Sequence, residues 1–258
     1  MGLNIIVCIK SVVINVTDGQ VVRSSESCEL NPYDRPALEL ALRLREEGGG
    51  TVTAISMGPE VSALSLLEAM ALGVDRSVLI SDLALAGSDT IATSTVLAAA
   101  IKKLAPFDLI LFGVRTADSD TGQVGPQTAV LLELPMVTGA HSIEQVDAGF
   151  IIERIADGFQ ERFEISFPAA LTVHPRAVEP RNIGLYGIES AFEECKVENW
   201  DLNVLGLSPN QVGEEGSPTQ VLSLKRVTKE RKCELLSGSI EEQAEELIER
   251  LVETGFIG

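Results

Sequence analysis

The chain has 258 residues, 45% of them hydrophobic and 22% charged, a balance that excludes intrinsic disorder and collagen-like repeats. Its 38 acidic residues outnumber 20 basic ones, giving a formal net charge of −18, and so negative a surface repels phosphate backbones, so nucleic acid is not expected as a partner. Apolar runs break well before the roughly 18 residues of a spanning helix, so no direct membrane insertion is expected.

Short apolar runs alternate with helical periodicity through the first half. Asn4–Ile9 is branched, apolar and bounded by polar positions, and reads as a buried strand. Its start, Met-Gly-Leu-Asn-Ile-Ile-Val-Cys-Ile-Lys, has neither signal-peptide nor transit-peptide character, so a cytoplasmic location is expected. Val12–Val22 holds Thr17-Asp18-Gly19, a turn signal that predicts an edge hairpin. Asp34 precedes a helix with Ala37, Leu38, Ala41 and Leu44 on one face, stopped by Gly48-Gly49-Gly50. Thr51–Met57 is the next strand, Glu60–Leu72 a helix closed by Gly73, and Ser77–Ile80 a strand again. Ser88 is expected to cap a helix whose Ile91, Leu97, Ile101 and Leu104 share a stripe, and Phe107–Phe112 to form another buried strand. Such alternation implies right-handed crossovers and a mainly parallel sheet covered on both faces, the α/β class.

After Pro135 the pattern changes. Val137–Ile143, Phe150–Ile155, Glu161–Phe167 and Ala170–Val173 are short extended runs with turns at Asp147-Ala148-Gly149 and Asp157-Gly158. They predict either an antiparallel addition to the same sheet or a small satellite sheet. From Pro175 to Ser217 the chain is rich in Pro, Gly, Asn and Glu, as expected of a segment lying on another surface. Ser239-Ile240-Glu241-Glu242 is a capping box that opens a helix aligning Ile240, Ala244, Leu247, Ile248 and Leu251, ended by Gly255. The expected organisation is a core with its β extension over residues 1–174 and an arm with a C-terminal helix over residues 175–258.

Conventional catalytic residues are nearly absent. The two histidines, His141 and His174, fall at predicted strand positions where a structural role is expected. Cys8, Cys28, Cys195 and Cys233 are far apart in sequence, so neither a zinc site nor a disulfide framework is expected. Gly-x-Ser-x-Gly, His-Glu-x-x-His and a Walker lysine loop are missing, and Lys10-Ser11-Val12 stands where a dinucleotide fingerprint places glycines. No catalytic residue is assigned.

One stretch stands apart: Gly113-Val114-Arg115-Thr116-Ala117-Asp118-Ser119-Asp120-Thr121-Gly122-Gln123-Val124-Gly125-Pro126. It follows the strand Phe107–Phe112 and opens an apolar-periodic segment, the position where α/β sheets bind ligands. Thr121, Gly122, Gln123 and Val124 present successive N–H groups at a helix start, a phosphate cradle. Asp118 and Asp120 would repel a phosphate, so at least one is expected to point elsewhere. The same residues also fit an ordinary acidic loop with an Asp N-cap. Ser56-Met57-Gly58-Pro59, Asn31-Pro32-Tyr33-Asp34 and Cys8-Ile9 are further strand-end or pre-helix sites, and a parallel sheet brings all four to one edge, where a nucleotide fits across them.

In these residues the sequence resembles the β subunit of electron-transfer flavoproteins over nearly its whole length. The strand ending in Cys-x-Lys, then Asn31-Pro32, Ser56-Met57-Gly58-Pro59, Ala71-Leu72-Gly73-Val74-Asp75-Arg76, Gly113 through Pro126, Leu131-Leu132-Glu133-Leu134-Pro135 and Glu179-Pro180-Arg181 follow the family's order. The resemblance implies a Rossmann-like, adenine-nucleotide α-hydrolase-like fold and a heterodimer. Its α subunit carries the redox-active FAD; its β subunit supplies an adenine nucleotide site holding AMP or, in the electron-bifurcating branch, a second FAD. By position that site uses Cys8, Asn31, Met57, Gly113, Asp118, Asp120, Thr121, Gly122, Gln123, Val124 and Gly125. An aromatic of relatives gives way to Asn15, and Tyr33 is a substitute ring. The Asp118–Pro126 run looks closer to the bifurcating branch, but Ser119, Gly122 and Val12-Val13-Ile14-Asn15 depart from it, so both nucleotides stay open.

Members that serve acyl-CoA dehydrogenases carry a leucine anchor, by position Leu185; the alternative places Leu185 against the α subunit. The following Glu189-Ser190-Ala191-Phe192-Glu193-Glu194 is acidic where several relatives are lysine-rich, which alters electrostatic steering. Leu185, Phe192, Trp200, Leu202 and Leu205 are expected to need an α subunit to cover them. The implied role is to shuttle electrons from dehydrogenases such as acyl-CoA dehydrogenase to an acceptor such as a membrane quinone oxidoreductase. Two other classes share the α/β layout, a stand-alone universal-stress-type protein and an ATP-using α-hydrolase-type enzyme. The long arm speaks against the first, and the lack of a Ser-Gly-Gly-x-Asp loop after the first strand against the second.

Overall fold

A computed structural model describes residues 2–13, 24–193, 196–220, 222 and 233–257, with Phe192 as backbone alone. Strand β1 (Leu3–Cys8) alternates its side chains between two cores. Leu3, Ile5 and Val7 enter one cluster with the next helix, while Ile6 and Cys8 enter a second on the opposite face. Burial on both faces is what makes the run continuously apolar. Beyond it, β2 (Ser11–Val13) pairs antiparallel with β3 (Cys28–Leu30), a partner that lies past the Val12–Val22 span expected to form a hairpin. Its turn signal, Thr17-Asp18-Gly19, lies outside the described residues.

Helix α1 (Arg35–Gly48) takes Pro36 in its first turn, where a missing N–H costs nothing, and buries the predicted Ala37, Leu38, Ala41 and Leu44. It stops at Gly49, with φ 78°, and Gly50 then passes so close to Leu3 that a Cβ would lie 2.1 Å from the Leu3 carbonyl oxygen. The alternating half continues through β4 (Gly50–Met57), α2 (Ala63–Ala71), β5 (Arg76–Ile80), α3 (Thr90–Lys103), β6 (Leu109–Gly113) and α4 (Val124–Leu131). The cap of α3 is Asp89 rather than Ser88. Its carboxylate accepts the N–H groups of Ile91 and Ala92 at 2.9 and 3.0 Å and also answers the helix dipole, which a hydroxyl cannot. The Ser88 hydroxyl instead donates to the Leu85 carbonyl and accepts from Gly213. Ile91 falls off the buried stripe, 42% exposed.

The later strands are β7 (Met136–Ala140), β8 (Ser142–Val146), β9 (Gly149–Ala156), β10 (Phe159–Ser166) and β11 (Ala169–Val173). They divide between sheets: β8, β9 and β10 form an antiparallel satellite, whereas β7 and β11 join the main sheet in parallel orientation. The next segment supplies α5 (Leu185–Glu193), β12 (Glu198–Trp200), α6 (Leu202–Leu205) and α7 (Gly213–Gly216). The main sheet has the order β12-β5-β4-β1-β6-β11-β7, with every pairing parallel. Because β12 extends this sheet, Trp200 and Leu202 turn inward, 8% and 5% exposed, and Leu205 packs with them. They need no partner to cover them, contrary to expectation. The Phe192 side chain lies outside the described residues.

Residues 1–222 form one compact unit and residues 223–258 a second. The second holds α8 (Ile240–Glu253), opened by the predicted capping box: Ser239 and Glu242 exchange bonds of 2.8 and 3.3 Å.

Candidate functional site

Strands β4, β1 and β6 are neighbours, so their carboxyl ends bring Met57, Cys8 and Gly113 to one edge. Cys8 lies in register with Ile55 and Phe112, 6% exposed. Burial pushes its thiol well above the ordinary range, and the neighbouring Asp34 charge adds to that. Met57 is half-buried at the end of β4. Near it the hydroxyls of Ser56 and Ser62 are buried without a hydrogen-bond partner among the described residues. Gly58 is tight over Ser62, since a Cβ there would come within 2.4 Å of Ser62 Oγ. Unpartnered buried hydroxyls are costly, so this strand end holds unspent hydrogen-bonding capacity.

The pre-helix segment Asn31–Asp34 packs directly on the end of β6. A Cβ at Gly113 would lie 2.3 Å from Asp34 Oδ1 and 2.5 Å from the Tyr33 carbonyl oxygen, so glycine is required there. Asn31 is fully buried and grips the loop twice: its Nδ2 donates to the Arg115 carbonyl at 2.9 Å, and its Oδ1 accepts the Ala117 N–H at 3.2 Å. The Arg115 guanidinium lies over the Tyr33 ring, 4.6 Å from its centroid, and donates to the Tyr33 hydroxyl at 2.9 Å.

Both loop carboxylates have basic neighbours. Lys10 Nζ meets Asp118 at 2.8 Å. Burial opposes the ionised form of Asp118, but Lys10, Thr116 and Ser119 outweigh it and hold the carboxyl below its usual range. Asp120 takes φ 53° and stands 3.5 Å from Arg115. Neither carboxylate makes a side-chain cap bond to α4, whose N-cap is Gln123. Gly122 turns at φ 61° with its Cα so near the Val114 carbonyl that a Cβ would lie 2.9 Å from it. Among the described residues no hydrogen bond uses the N–H of Thr121, Gly122, Gln123, Val124 or Gly125. These are the orphan donors of a helix start. The Gln123 side chain accepts from Thr90 Oγ1 at 3.2 Å, which ties the turn to the first residue of α3. Gly125 is a packing position: a Cβ would lie 3.1 Å from Phe112 and 3.3 Å from Thr172.

On its other side the loop borders a cavity of about 280 Å³ lined by Val114, Gly122, Thr138, Gly139 and Arg154, among others. Arg154 there is bonded to Glu161 at 2.5 Å and to Thr138. The His141 and His174 rings meet near the ends of β7 and β11, tilted by 36° with centroids 5.6 Å apart, and His174 is held below its usual range by burial, then by His141 and Arg176. Leu185 stands outside this cluster. It opens α5, which lies on α2 with Gly187 over the Ala71 carbonyl, and is 87% exposed. Sequence reasoning assigned no role to Lys10, Arg115 or Asp34. Asp34 stands just before α1, yet its side chain makes no cap bond.

The sheet, the three adjacent strand ends and the row of unspent amides define an α/β protein with a candidate ligand site on a turn into a helix start. An electron transfer flavoprotein domain matches residues 18–204. The chain is 37% identical to an electron transfer flavoprotein subunit beta of Thermoanaerobacterium thermosaccharolyticum, covering 96% of this chain and 98% of the relative. It is 36% identical to the caffeyl-CoA reductase-Etf complex subunit CarD of Acetobacterium woodii, covering 99% of this chain and 100% of that one. It is 34% identical to the acryloyl-CoA reductase electron transfer subunit gamma of Anaerotignum propionicum, over 99% and 100% of the two chains. The chain belongs to the electron transfer flavoprotein family, as a β subunit. That family is one of electron-carrying flavoproteins, and a β subunit implies an α-subunit partner. Among the described residues no helix is long and apolar enough to cross a membrane.

Proposed function

We propose that this β subunit binds an adenine nucleotide across the carboxyl ends of β4, β1 and β6 and, with an α subunit, passes electrons between a dehydrogenase and an acceptor. The observation that carries this reading is the run of unpartnered N–H groups from Thr121 to Gly125, beside carboxylates already answered by Lys10 and Arg115. A phosphate there meets donors and a helix N-terminus without facing a bare negative charge. Asn31, Gly113 and Gly122 hold the loop backbone in place. Cys8, Met57 and the Ser56 hydroxyl offer the strand-end wall, and Tyr33 with Arg115 the outer end. AMP and a second FAD share the adenosine 5′-phosphate that these residues fit, and both belong to the proposal. An FAD held with the α subunit supplies the redox chemistry; the residues of this chain bind and orient.

The partner is proposed to be an acyl-CoA dehydrogenase-type flavoenzyme, a choice favoured by two relatives whose names place them with CoA-ester reductases. Leu185 is its proposed anchor, and residues 175–258 are the proposed partner-binding arm. A membrane quinone oxidoreductase is the proposed acceptor, and the cytoplasm the proposed location.

Co-expression with the α subunit should give a yellow 1:1 complex that releases, on denaturation, one adenine nucleotide beyond the α-subunit FAD. Thr121→Asp adds a negative charge at an exposed position of the turn. It should empty the β site while the α-subunit FAD stays. Unchanged nucleotide content would refute the placement.

A further inference from the structure

Asp34 is a carboxyl group in the core, 4% exposed, and the electron-carrier role gives it nothing to do. It stands where the segments of the candidate site converge. Its Oδ2 accepts the Lys10 N–H at 2.8 Å, and its Oδ1 faces the Gly113 Cα so closely that no Cβ fits between them. Its own N–H donates to the Asn31 carbonyl at 2.9 Å. The two residues it sets then grip the loop after β6: Lys10 through Asp118, and Asn31 through Arg115 and Ala117. We propose that Asp34 is a positioning residue of the nucleotide site, its carboxylate fixing Lys10 and its backbone N–H Asn31, and through them the backbone of residues 113–125. This inference rests on the nucleotide reading given above.

Ionisation is what gives Asp34 its grip, because a carboxylate offers acceptors on both oxygens. Burial raises its pKa to about 7, against the favourable pull of the Lys10 and Gly113 N–H groups, the Asn31 side chain and the Lys10 ammonium. The other ionisable groups beside it are the Cys8 thiol on β1 and, through Lys10, Asp118 of the loop; next to it on α1, Arg35 is paired with Glu68. The neutral acid should hold the loop less firmly. Loop geometry, and with it nucleotide affinity, should therefore change between about pH 6 and pH 8.

The test measures binding of AMP and of adenosine 5′-(methyl phosphate), whose single charge does not titrate in this range, to the full chain with its α subunit. Wild-type affinity for both should fall about tenfold from pH 8 to pH 6. Asp34→Asn, isosteric but with one acceptor, should bind about tenfold more weakly at pH 8 and show no such slope for the methyl ester. Hydrogen-exchange protection at Lys10 and Ala117, measured without nucleotide, should drop in the variant and in the wild type at low pH. Equal affinity of variant and wild type, or parallel pH slopes in the two, would overturn the role of Asp34. Should Asp34→Asn fail to fold, a wild-type protection factor that ignores pH overturns it equally. If neither nucleotide binds the wild type at any pH, the nucleotide reading fails instead, and the protection factors alone decide whether Asp34 positions the loop.

Discussion

Arg181 closes on Glu39 through both its side chain and its backbone: Nε and N–H reach the same carboxylate oxygen, at 2.7 and 3.1 Å. Glu39 sits on α1 only 3% exposed, its other oxygen held by Arg43 at 2.6 Å, and Arg181 also takes Glu46 at 2.6 Å. The segment after β11 is thus fastened to the core by a charge that cannot be left alone. Burial works against ionised Glu39, but Arg181 and Arg43 outweigh it and hold its carboxyl below the usual range.

Arg181→Ala should destabilise the fold by about 3 kcal/mol, since it strips a buried carboxylate of its main partner. Arg181→Lys should recover little, lacking the fork that spans two carboxylates. The sign with pH follows from the lowered pKa. The stability is present above about pH 4, where unfolded glutamates ionise, and is lost as pH falls through the lower folded value. Urea titrations of wild type and variant should therefore converge in acid. A constant difference down to about pH 2 would contradict the assignment.

Asp34 predicts the opposite slope. Its folded pKa is about 7, against roughly 3.9 unfolded, so its contribution is most favourable below pH 4 and declines as pH rises to 7. The full swing is on the order of 4 kcal/mol. Relative to Asp34→Asn, the wild type should lose stability between pH 4 and pH 8. A flat difference across that range would show that the carboxyl ionises normally in the core.

Leu185→Ala should slow electron transfer to a partner dehydrogenase by about 10- to 100-fold, the cost of an apolar anchor worth roughly 1.5–3 kcal/mol. Flavin content and melting temperature should stay put, because the side chain is 87% exposed in this chain. Loosened assembly with the α subunit, at an unchanged rate per intact complex, would assign Leu185 to that interface instead.

Gly187 offers a control that never touches the anchor. A Cβ there would lie 2.2 Å from the Ala71 carbonyl oxygen, so Gly187→Ala must lift α5 from α2. The expected cost is about 1–3 kcal/mol of stability together with a slower partner rate, from misplacement of Leu185. A rate equal to wild type would separate the placement of α5 from docking.

The alternating half of the fold was legible because each strand is a short apolar run and each helix has a clean stripe, as Ile5, Val7, Leu38 and Leu42 show. The destination of β7 and β11 was not, since a short apolar run carries no mark of which neighbour it will pair with. For the same reason nothing local around Trp200 and Leu202 shows that β12 joins β5 and carries them inward. In the site, the Gly113–Pro126 turn announced itself by glycines and position. The pairing of Lys10 with Asp118 spans 108 residues and leaves no local pattern. Asp34 stands before a helix, where an aspartate is common, and nothing local marks its bond to Lys10.

On the ribosome, β1, β4, β5 and β6 emerge first and are contiguous in the sheet, so they form a four-stranded raft as soon as residue 113 is out. β7 follows but has no neighbour in the sheet except β11, which is made some thirty residues later and must seat itself between β7 and the raft. The flank of β5 stays bare until β12 arrives at residue 200. A nascent chain stalled between those points carries two unpaired backbone edges, each a template for another chain. Translation pauses in this interval should raise aggregation more than pauses on either side of it, and a fragment ending near residue 195 should pair with its own kind through β5.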